Sequence, residues 1–316
     1  MADNIATREA YGKALVEFGE KYDIVVLDAD LSKSTHTALF SKKYPERFIN
    51  CGIAEGNMAV VAAGIASTGK TVFYSSFAMF AAGRAFEQVR NSICLPHMNV
   101  KIGATHAGIS VGEDGASHQT VEDISIMRSI PGMVVISPCD GVETRAAVEA
   151  AIKYDGPVYL RLGRLSVPVI FDETNYKFEI GKGITIKEGK DVTIIATGLM
   201  VAEAIKAGEI LAAEGINAEI IDIHTIKPID RDIIIKSAKK TGIIVTAEEH
   251  SVIGGLGSAV AEVVTDEYPV SVLKVGIQDM FGRSGKPAEL LKMYGLLAND
   301  IVVKAREAIN TKLRII

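Results

Sequence analysis

Gly64-Ile65-Ala66-Ser67-Thr68-Gly69-Lys70-Thr71 matches the written pattern of a nucleotide-binding P-loop, and the order of elements around it decides the fold. A P-loop needs a strand before it and a helix after it, so that the helix N-terminus faces the phosphates. Here the order is reversed. An Ala- and Val-rich stretch over 55–67 reads as a helix and comes first, and the strand Thr71-Val72-Phe73-Tyr74 follows. Gly64 falls inside the last helical turns, so the segment is read as a helix-to-strand turn. Working outward, the same alternation continues in both directions. Before it stand a helix over 7–22 with Thr7 as N-cap, a buried strand over 23–27 and a short strand over 47–50. After it stand a long helix over 78–93, a strand over 99–105, a helix over 121–130, a strand over 133–137, a helix over 141–154 and a strand over 158–161. Strands separated by helices predict an α/β fold, a mainly parallel sheet flanked by helices on both faces.

The alternation breaks after residue 166, where Pro168, Asp172, Asn175 and several lysines are irregularly spaced. It resumes at 191 with strands over 191–196, 218–223, 242–247 and 271–275. Helices are predicted over 200–214, 230–241, 257–267, 287–294 and 298–311. Two units are therefore expected, 1–166 and a smaller α/β unit over 191–316, joined by a linker over 167–190. A length of 316 residues agrees with that count at about 150 residues per domain.

Composition narrows the partners. Hydrophobic residues are 48% and charged residues 23%, which excludes intrinsic disorder. A net charge of −5 without a basic stripe excludes a general nucleic-acid binder. Cys51, Cys94 and Cys139 are scattered and odd in number, so neither a disulfide framework nor a zinc site is expected, and the compartment is read as reducing cytoplasm. The first residues lack a signal-peptide pattern, and the most apolar helical stretch is too short to span a bilayer, so no membrane is expected.

Four features carry chemistry. Glu55 opens a helix that is otherwise almost wholly apolar. A carboxyl there could exchange a proton with a ligand nitrogen, since burial favours its neutral form, or it could be a first-turn acid favoured by the helix dipole. Residue type alone leaves both open. Thr105-His106-Ala107-Gly108-Ile109-Ser110-Val111-Gly112-Glu113-Asp114-Gly115-Ala116-Ser117-His118-Gln119 is a polar, glycine-bearing loop after a strand and holds two of the six histidines. Such a loop at a strand end favours ligand binding over a solvated surface role. Tyr74, Phe77 and Phe80 recur every three residues, a spacing more often found in a core than on a cofactor face. Arg161 closes an apolar strand, where a guanidinium meets either an anionic ligand or a surface carboxylate. Gly254-Gly255-Leu256-Gly257 lacks the third glycine of a dinucleotide fingerprint and is read as a tight turn or close subunit contact. His250 is read as a loop or interface residue.

Taken together, these segments resemble the C-terminal half of a transketolase along the whole chain. Gly52-Ile53-Ala54-Glu55 resembles that family's glutamate segment, 74–90 its aromatic segment, and Gly112-Glu113-Asp114-Gly115-Ala116-Ser117-His118-Gln119 its G-E-D-G-x-x-H-Q loop. Glu248-Glu249-His250 and the Gly254–Gly257 turn resemble its C-terminal domain. The resemblance implies a pyrimidine-binding domain followed by a transketolase C-terminal domain, with thiamine diphosphate as cofactor. Glu55 would bond the aminopyrimidine N1′ and favour the imino form that removes the thiazolium C2 proton. Phe77 would stack on the pyrimidine with Tyr74 and Phe80 beside it, and Asp30 would lie near the cofactor. His118 would contact the donor's C1 hydroxyl and Asp114 a hydroxyl of the aldehyde acceptor. His106, Arg161, Arg8 and Ser34 would hold the sugar phosphate.

One departure matters. A full transketolase also carries a diphosphate-binding domain with G-D-G and a metal-ligating asparagine, and this chain has no G-D-G. Magnesium and diphosphate would then be held mainly by an N-terminal subunit on a separate polypeptide, with no metal ligand from this chain. The implied protein is the C-terminal subunit of a split transketolase, inactive alone and working in an α2β2 heterotetramer built around a dimer of this chain. Three other readings compete. The beta subunit of a 2-oxoacid dehydrogenase has this length and domain order but lacks the E-D-G-x-x-H-Q loop. A half of a 1-deoxyxylulose-5-phosphate synthase shares the loop, but that enzyme is normally one long chain. A non-catalytic scaffold would not need Glu55, Asp114 and His118 intact.

Overall fold

A computed structural model describes residues 4–315. The strands run β1 (Ile5–Ala6), β2 (Ile24–Asp28), β3 (Phe48–Asn50), β4 (Thr71–Phe77), β5 (Val100–Thr105), β6 (Val134–Ile136), β7 (Val158–Arg161) and β8 (Ser166–Val167). They continue as β9 (Ile184–Lys187), β10 (Val192–Ala196), β11 (Ala218–Asp222), β12 (Thr225–Lys227), β13 (Ile243–Ser251) and β14 (Ser271–Ile277). The helices are α1 (Thr7–Lys21), α2 (Ser32–Thr35), α3 (Ala38–Lys43), α4 (Glu55–Ala66), α5 (Phe86–Gln88), α6 (Asp123–Ser129) and α7 (Gly141–Lys153). The second half adds α8 (Met200–Ala213), α9 (Arg231–Thr241), α10 (Leu256–Glu267), α11 (Pro287–Met293) and α12 (Ala298–Ile315).

Two mostly parallel sheets result. The larger has the order β12-β6-β7-β5-β4-β2-β3, parallel except for β12. The smaller has the order β14-β13-β10-β11-β9, parallel except for β9. β1 and β8 form a separate antiparallel pair. On one face of the larger sheet Tyr11, Leu15 and Phe18 of α1 and Ala147 and Val148 of α7 cover Val26, Phe73 and Leu160. On the other, Met58, Ala62, Ala81, Val89 and Ile124 cover Leu27, Tyr74 and Ile102. That second cluster continues without a break into Ile195, Ile221, Ile244, Leu256 and Val260 of the smaller sheet and its helices. The far face of the smaller sheet is closed by α8 and α12 through Val201, Ala204, Ile301 and Ala305. Among the described residues no helix is long and apolar enough to cross a membrane.

Local chemistry explains several boundaries. Asp140 caps α7 by accepting from the Glu143 N–H at 2.8 Å, and Asp230 caps α9 from Ile233 N–H at 3.2 Å. Gly242, at φ 70°, closes α9 in the left-handed conformation. The 64–71 stretch is a helix end and turn, as its reversed order predicts. α4 stops at Ala66, Gly69 turns at φ 89°, and β4 begins at Thr71.

Some expectations need correcting. Thr7 is the first residue of α1 rather than its cap, and its hydroxyl instead accepts from Gly163 N–H at 2.8 Å. The long helix expected over 78–93 is interrupted. Met79–Arg84 and Val89–Cys94 are π-helical turns on either side of α5. β4 runs on to Phe77 and β13 to Ser251, so His250 lies inside a strand and is fully buried. The edge strand β12, from the second half of the chain, joins the first sheet and was not visible as a strand in the sequence.

Candidate active site

The chain crosses from β3 past β2 to begin β4, so connections diverge at the carboxyl ends of β2 and β4. Open α/β sheets bind ligands at such a switch point. Phe77 closes β4 here. Thr105 closes β5 and is followed by His106 in the left-handed conformation, φ 57°. The Phe77 and His106 rings stack with centroids 3.8 Å apart and planes 29° apart. Phe80, carried by the first π-helical turn, lies nearly parallel to Phe77 at 6.2 Å. His118 meets both rings edge-on, at 6.2 Å from Phe77 and 5.2 Å from Phe80. Two aromatics and two histidines, the latter from the two ends of the polar loop, thus form one wall. Glu55 opens α4 with only 2% of its surface exposed, and its Oε2 accepts from Arg84 Nη1 at 2.9 Å. The Arg84 guanidinium lies 4.4 Å over the Phe80 ring, which ties the carboxylate to the same wall.

A cationic corner adjoins it. Arg8 Nη1 donates to the Ser34 carbonyl at 2.7 Å and lies 3.1 Å from His106 Nε2. A guanidinium can only donate, so Nε2 is the acceptor. Nδ1 then carries the proton and donates to Thr105 Oγ1 at 2.9 Å. Burial first, then the charges of Arg8 and Arg164, push the His106 pKa down to about 3, which keeps the ring neutral. Burial and Arg164 also lower Arg8, and burial and Arg8 lower His36. Like charges crowd together and Arg8 Nε is buried without a partner, an arrangement an anion would relieve. Arg164 and His36 were missed in the sequence. The available signal for Arg164 was the second arginine of Arg161-Leu162-Gly163-Arg164, one turn of chain beyond the strand end.

The polar loop is held from the other unit. Gln119 Nε2 donates to the carbonyls of Ile109, Gly112 and Arg283 at 3.1, 3.0 and 2.9 Å. Ser110 N–H donates to Glu249 Oε1 at 2.7 Å, and burial pushes the Glu249 carboxyl up to about 7. Gly108, at φ 80°, must be glycine, because a Cβ would overlap that carboxylate. At the exposed loop tip stand Asp114 and Glu113, the latter 3.2 Å from Arg164 Nη1. His118 is half-buried, with Nδ1 2.9 Å from Ser117 Oγ.

Three expected site residues are placed differently from the rest. Tyr74 is inside β4, fully buried behind the wall, with its hydroxyl donating to the Ala81 carbonyl at 3.3 Å. The i, i+3 spacing follows a strand to Phe77 and a helical turn only afterwards, so Tyr74 does not share the face of Phe77 and Phe80. Arg161 is 6% exposed and already spent. Nε donates to Asp123 Oδ2 and Nη2 to the Glu249 carbonyl, both at 2.9 Å, bracing the two units. Asp30 is exposed at φ 64° on the rim and accepts from Asn50 Nδ2 at 3.0 Å. The Gly254–Gly257 turn needs no outside anion. Glu248 fills it, accepting from Leu256 N–H at 2.6 Å and Gly257 N–H at 2.9 Å. Among the described residues one group could offer metal ligands, Cys139, Glu143 and Asp222, and it lies away from the wall where α7 meets β11. A cavity of about 540 Å³ around Tyr22, Tyr44 and Arg47 opens at the amino end of β2.

Comparison with known proteins places the whole chain. A transketolase pyrimidine-binding domain matches residues 3–169 and a transketolase C-terminal domain matches residues 181–301. A Methanocaldococcus jannaschii protein named "Putative transketolase C-terminal section" is 55% identical over 303 residues, 95% of each chain. A Clostridium 6-deoxy-6-sulfo-D-fructose transketolase subunit is 46% identical over 306 residues, 96% of this chain and 95% of that one. Human transketolase is 41% identical over 99% of this chain but only 50% of its own length, so the chain spans about half of that relative. Among solved structures, one described as "Split gene transketolase, inactive beta4 tetramer" superposes with a TM-score of 0.90 at 56% identity, covering 98% of this chain and 99% of that one.

Proposed function

The chain belongs to the transketolase family, as the C-terminal half of a split transketolase, and on that premise we propose that it transfers a two-carbon ketol unit between a ketose phosphate and an aldose phosphate. The family uses thiamine diphosphate. The observation that carries the reading is the wall of Phe77, Phe80, His106 and His118 with buried Glu55 tied to it. A flat, nitrogen-bearing heterocycle suits stacked rings beside a buried carboxylate that has one oxygen engaged. Bound there, thiamine diphosphate would supply a carbon acid whose conjugate base can attack a ketose carbonyl. Glu55 would bond a pyrimidine nitrogen and hold the proton balance there. Phe77 and Phe80 would orient the ring, with Asp30 at the rim. His118 and Asp114 would bond substrate hydroxyls. Arg8, neutral His106 and the Ser34 segment, joined by Arg164, would hold the sugar phosphate, with Arg161 bracing the floor from behind rather than touching it.

The diphosphate and Mg2+ would be held mainly by an N-terminal transketolase subunit, since the described residues at the wall offer cations and aromatics but no cluster of metal ligands. The wall lies at the carboxyl ends of β4 and β5, and Phe80 and His118 keep part of their surface exposed, which fits a site completed by another chain. Self-association has its own support. Ile53 and Val60, just before and on the apolar α4, are exposed, as is Leu95 at the end of the second π-helical turn. An α2β2 assembly around a dimer of this chain, in the cytoplasm and with units 1–166 and 191–316 joined by 167–190, is the corresponding architecture. The test is ketol transfer from xylulose 5-phosphate to ribose 5-phosphate with a partner carrying G-D-G, thiamine diphosphate and Mg2+. Activity should need both chains and vanish in Glu55→Ala. Decarboxylation of a 2-oxoacid instead would move the chain to the dehydrogenase reading, and robust turnover by the lone chain would refute the split.

A further inference from the structure

The reading above uses Arg84 only as the tie between Glu55 and the wall, yet its placement is specific. It is the last residue of the π-helical turn Met79–Arg84, in which Ala85 N–H reaches back to the Phe80 carbonyl at 3.1 Å. Such turns are rare overall and frequent at functional sites. The side chain is 52% exposed, while the carboxylate it holds is 2% exposed. Its guanidinium is fixed at two points, 2.9 Å from Glu55 Oε2 and 4.4 Å over the Phe80 ring. Among the described residues no other side chain bonds to Glu55. An ordinary surface ion pair has both partners in water and restrains neither. Here the carboxylate is buried and the planar cation is pinned against a ring, so the pair restrains the Glu55 rotamer.

We propose that Arg84 is a positioning residue for Glu55: it anchors Oε2 and leaves Oε1 as the free acceptor for the ligand nitrogen. The inference rests on the proposed function and adds a residue to it. Arg84 acts through Glu55 and through the Phe80 ring it covers. Lysine could replace the charge but not the flat contact with Phe80.

The test uses this chain reconstituted with its G-D-G partner, thiamine diphosphate and Mg2+, in wild type, Arg84→Met and Arg84→Lys. Two quantities are read: cofactor affinity by near-UV circular dichroism titration, and, at saturating cofactor, hydrogen–deuterium exchange at the thiazolium C2 by acid quench and NMR. Arg84→Met should bind cofactor to saturation and slow the exchange about 10- to 100-fold, the loss expected for one charged hydrogen bond. Arg84→Lys should recover part of it. The exposed position of Arg84 makes misfolding no excuse, and unchanged thermal melting of the variants checks this. Unaltered exchange in Arg84→Met, or a loss of affinity alone, overturns the assignment of Arg84 while leaving the function intact. Absence of exchange in the wild-type complex overturns both.

Discussion

His106 should make the protein acid-sensitive in a way a single substitution removes. In the folded chain its Nε2 accepts from Arg8, its ring lies on Phe77, and burial with neighbouring cations holds its pKa at about 3 against an ordinary 6.5. A base whose folded pKa is depressed contributes stability that is complete above 6.5 and lost as pH falls toward 3, because the unfolded chain takes up the proton first. At pH 5 the unfolded chain is protonated here and the folded one is not. The gap of about 1.5 units below 6.5, at ~1.4 kcal/mol per unit, amounts to roughly 2 kcal/mol. Any folded value below about 4 gives nearly the same figure, since the folded ring is then still neutral at pH 5. Glutamine can accept from Arg8 and donate to Thr105 without titrating, so His106→Gln isolates the proton from the contacts. Urea unfolding at pH 7.5 and pH 5 should show the wild type losing about 2 kcal/mol more than His106→Gln over this interval. Other groups, including His36, His224 and the carboxylates, titrate in both proteins and cancel in the difference. Parallel losses would mean that His106 is protonated in the fold, and the neutral tautomer and its bond from Arg8 would both be wrong.

Three further outcomes follow from the same structure. Lys101 is fully buried in β5, donates to the carbonyls of Tyr154 and Gly156 at 2.7 and 2.6 Å, and has its pKa lowered by burial from 10.5 to about 7. The unfolded chain therefore keeps this proton longer, and stability should rise by roughly 2–3 kcal/mol between pH 7 and 9 in wild type but stay flat in Lys101→Met, measured by denaturant titration. Glu248→Ala leaves the Leu256 and Gly257 N–H groups unpaired in a buried helix start, and should cost about 2–4 kcal/mol in the same assay. Val60→Glu, on the exposed face of α4, should leave thermal stability within about 0.5 kcal/mol while weakening self-association in sedimentation, and unchanged association would remove that face from the proposed dimer.

The class of fold was legible in the amino-acid sequence, because hydrophobic period and turn chemistry are local. The helix before Thr71 and the strand after it excluded a P-loop, and α4 and β4 stand in that order. The order of Glu55, the aromatic segment and the Gly112–Gln119 loop was enough for the family, since each segment is short and contiguous. Tertiary structure decided what depends on residues distant in the chain. Which arginine stands at the anion corner could not be read from Arg161-Leu162-Gly163-Arg164. Asp123 and the Glu249 carbonyl, 38 and 88 residues away, claim the first and leave the second facing Arg8 and His106. Tyr74 and Phe77 part company because β4 runs on to Phe77 before the chain turns, and where a strand yields to a π-helical turn is set by packing on α4 and β5. Glu248 filling the glycine turn, Arg84 reaching Glu55, and β12 crossing to the first sheet are likewise contacts between segments whose local sequences carry no mark of one another.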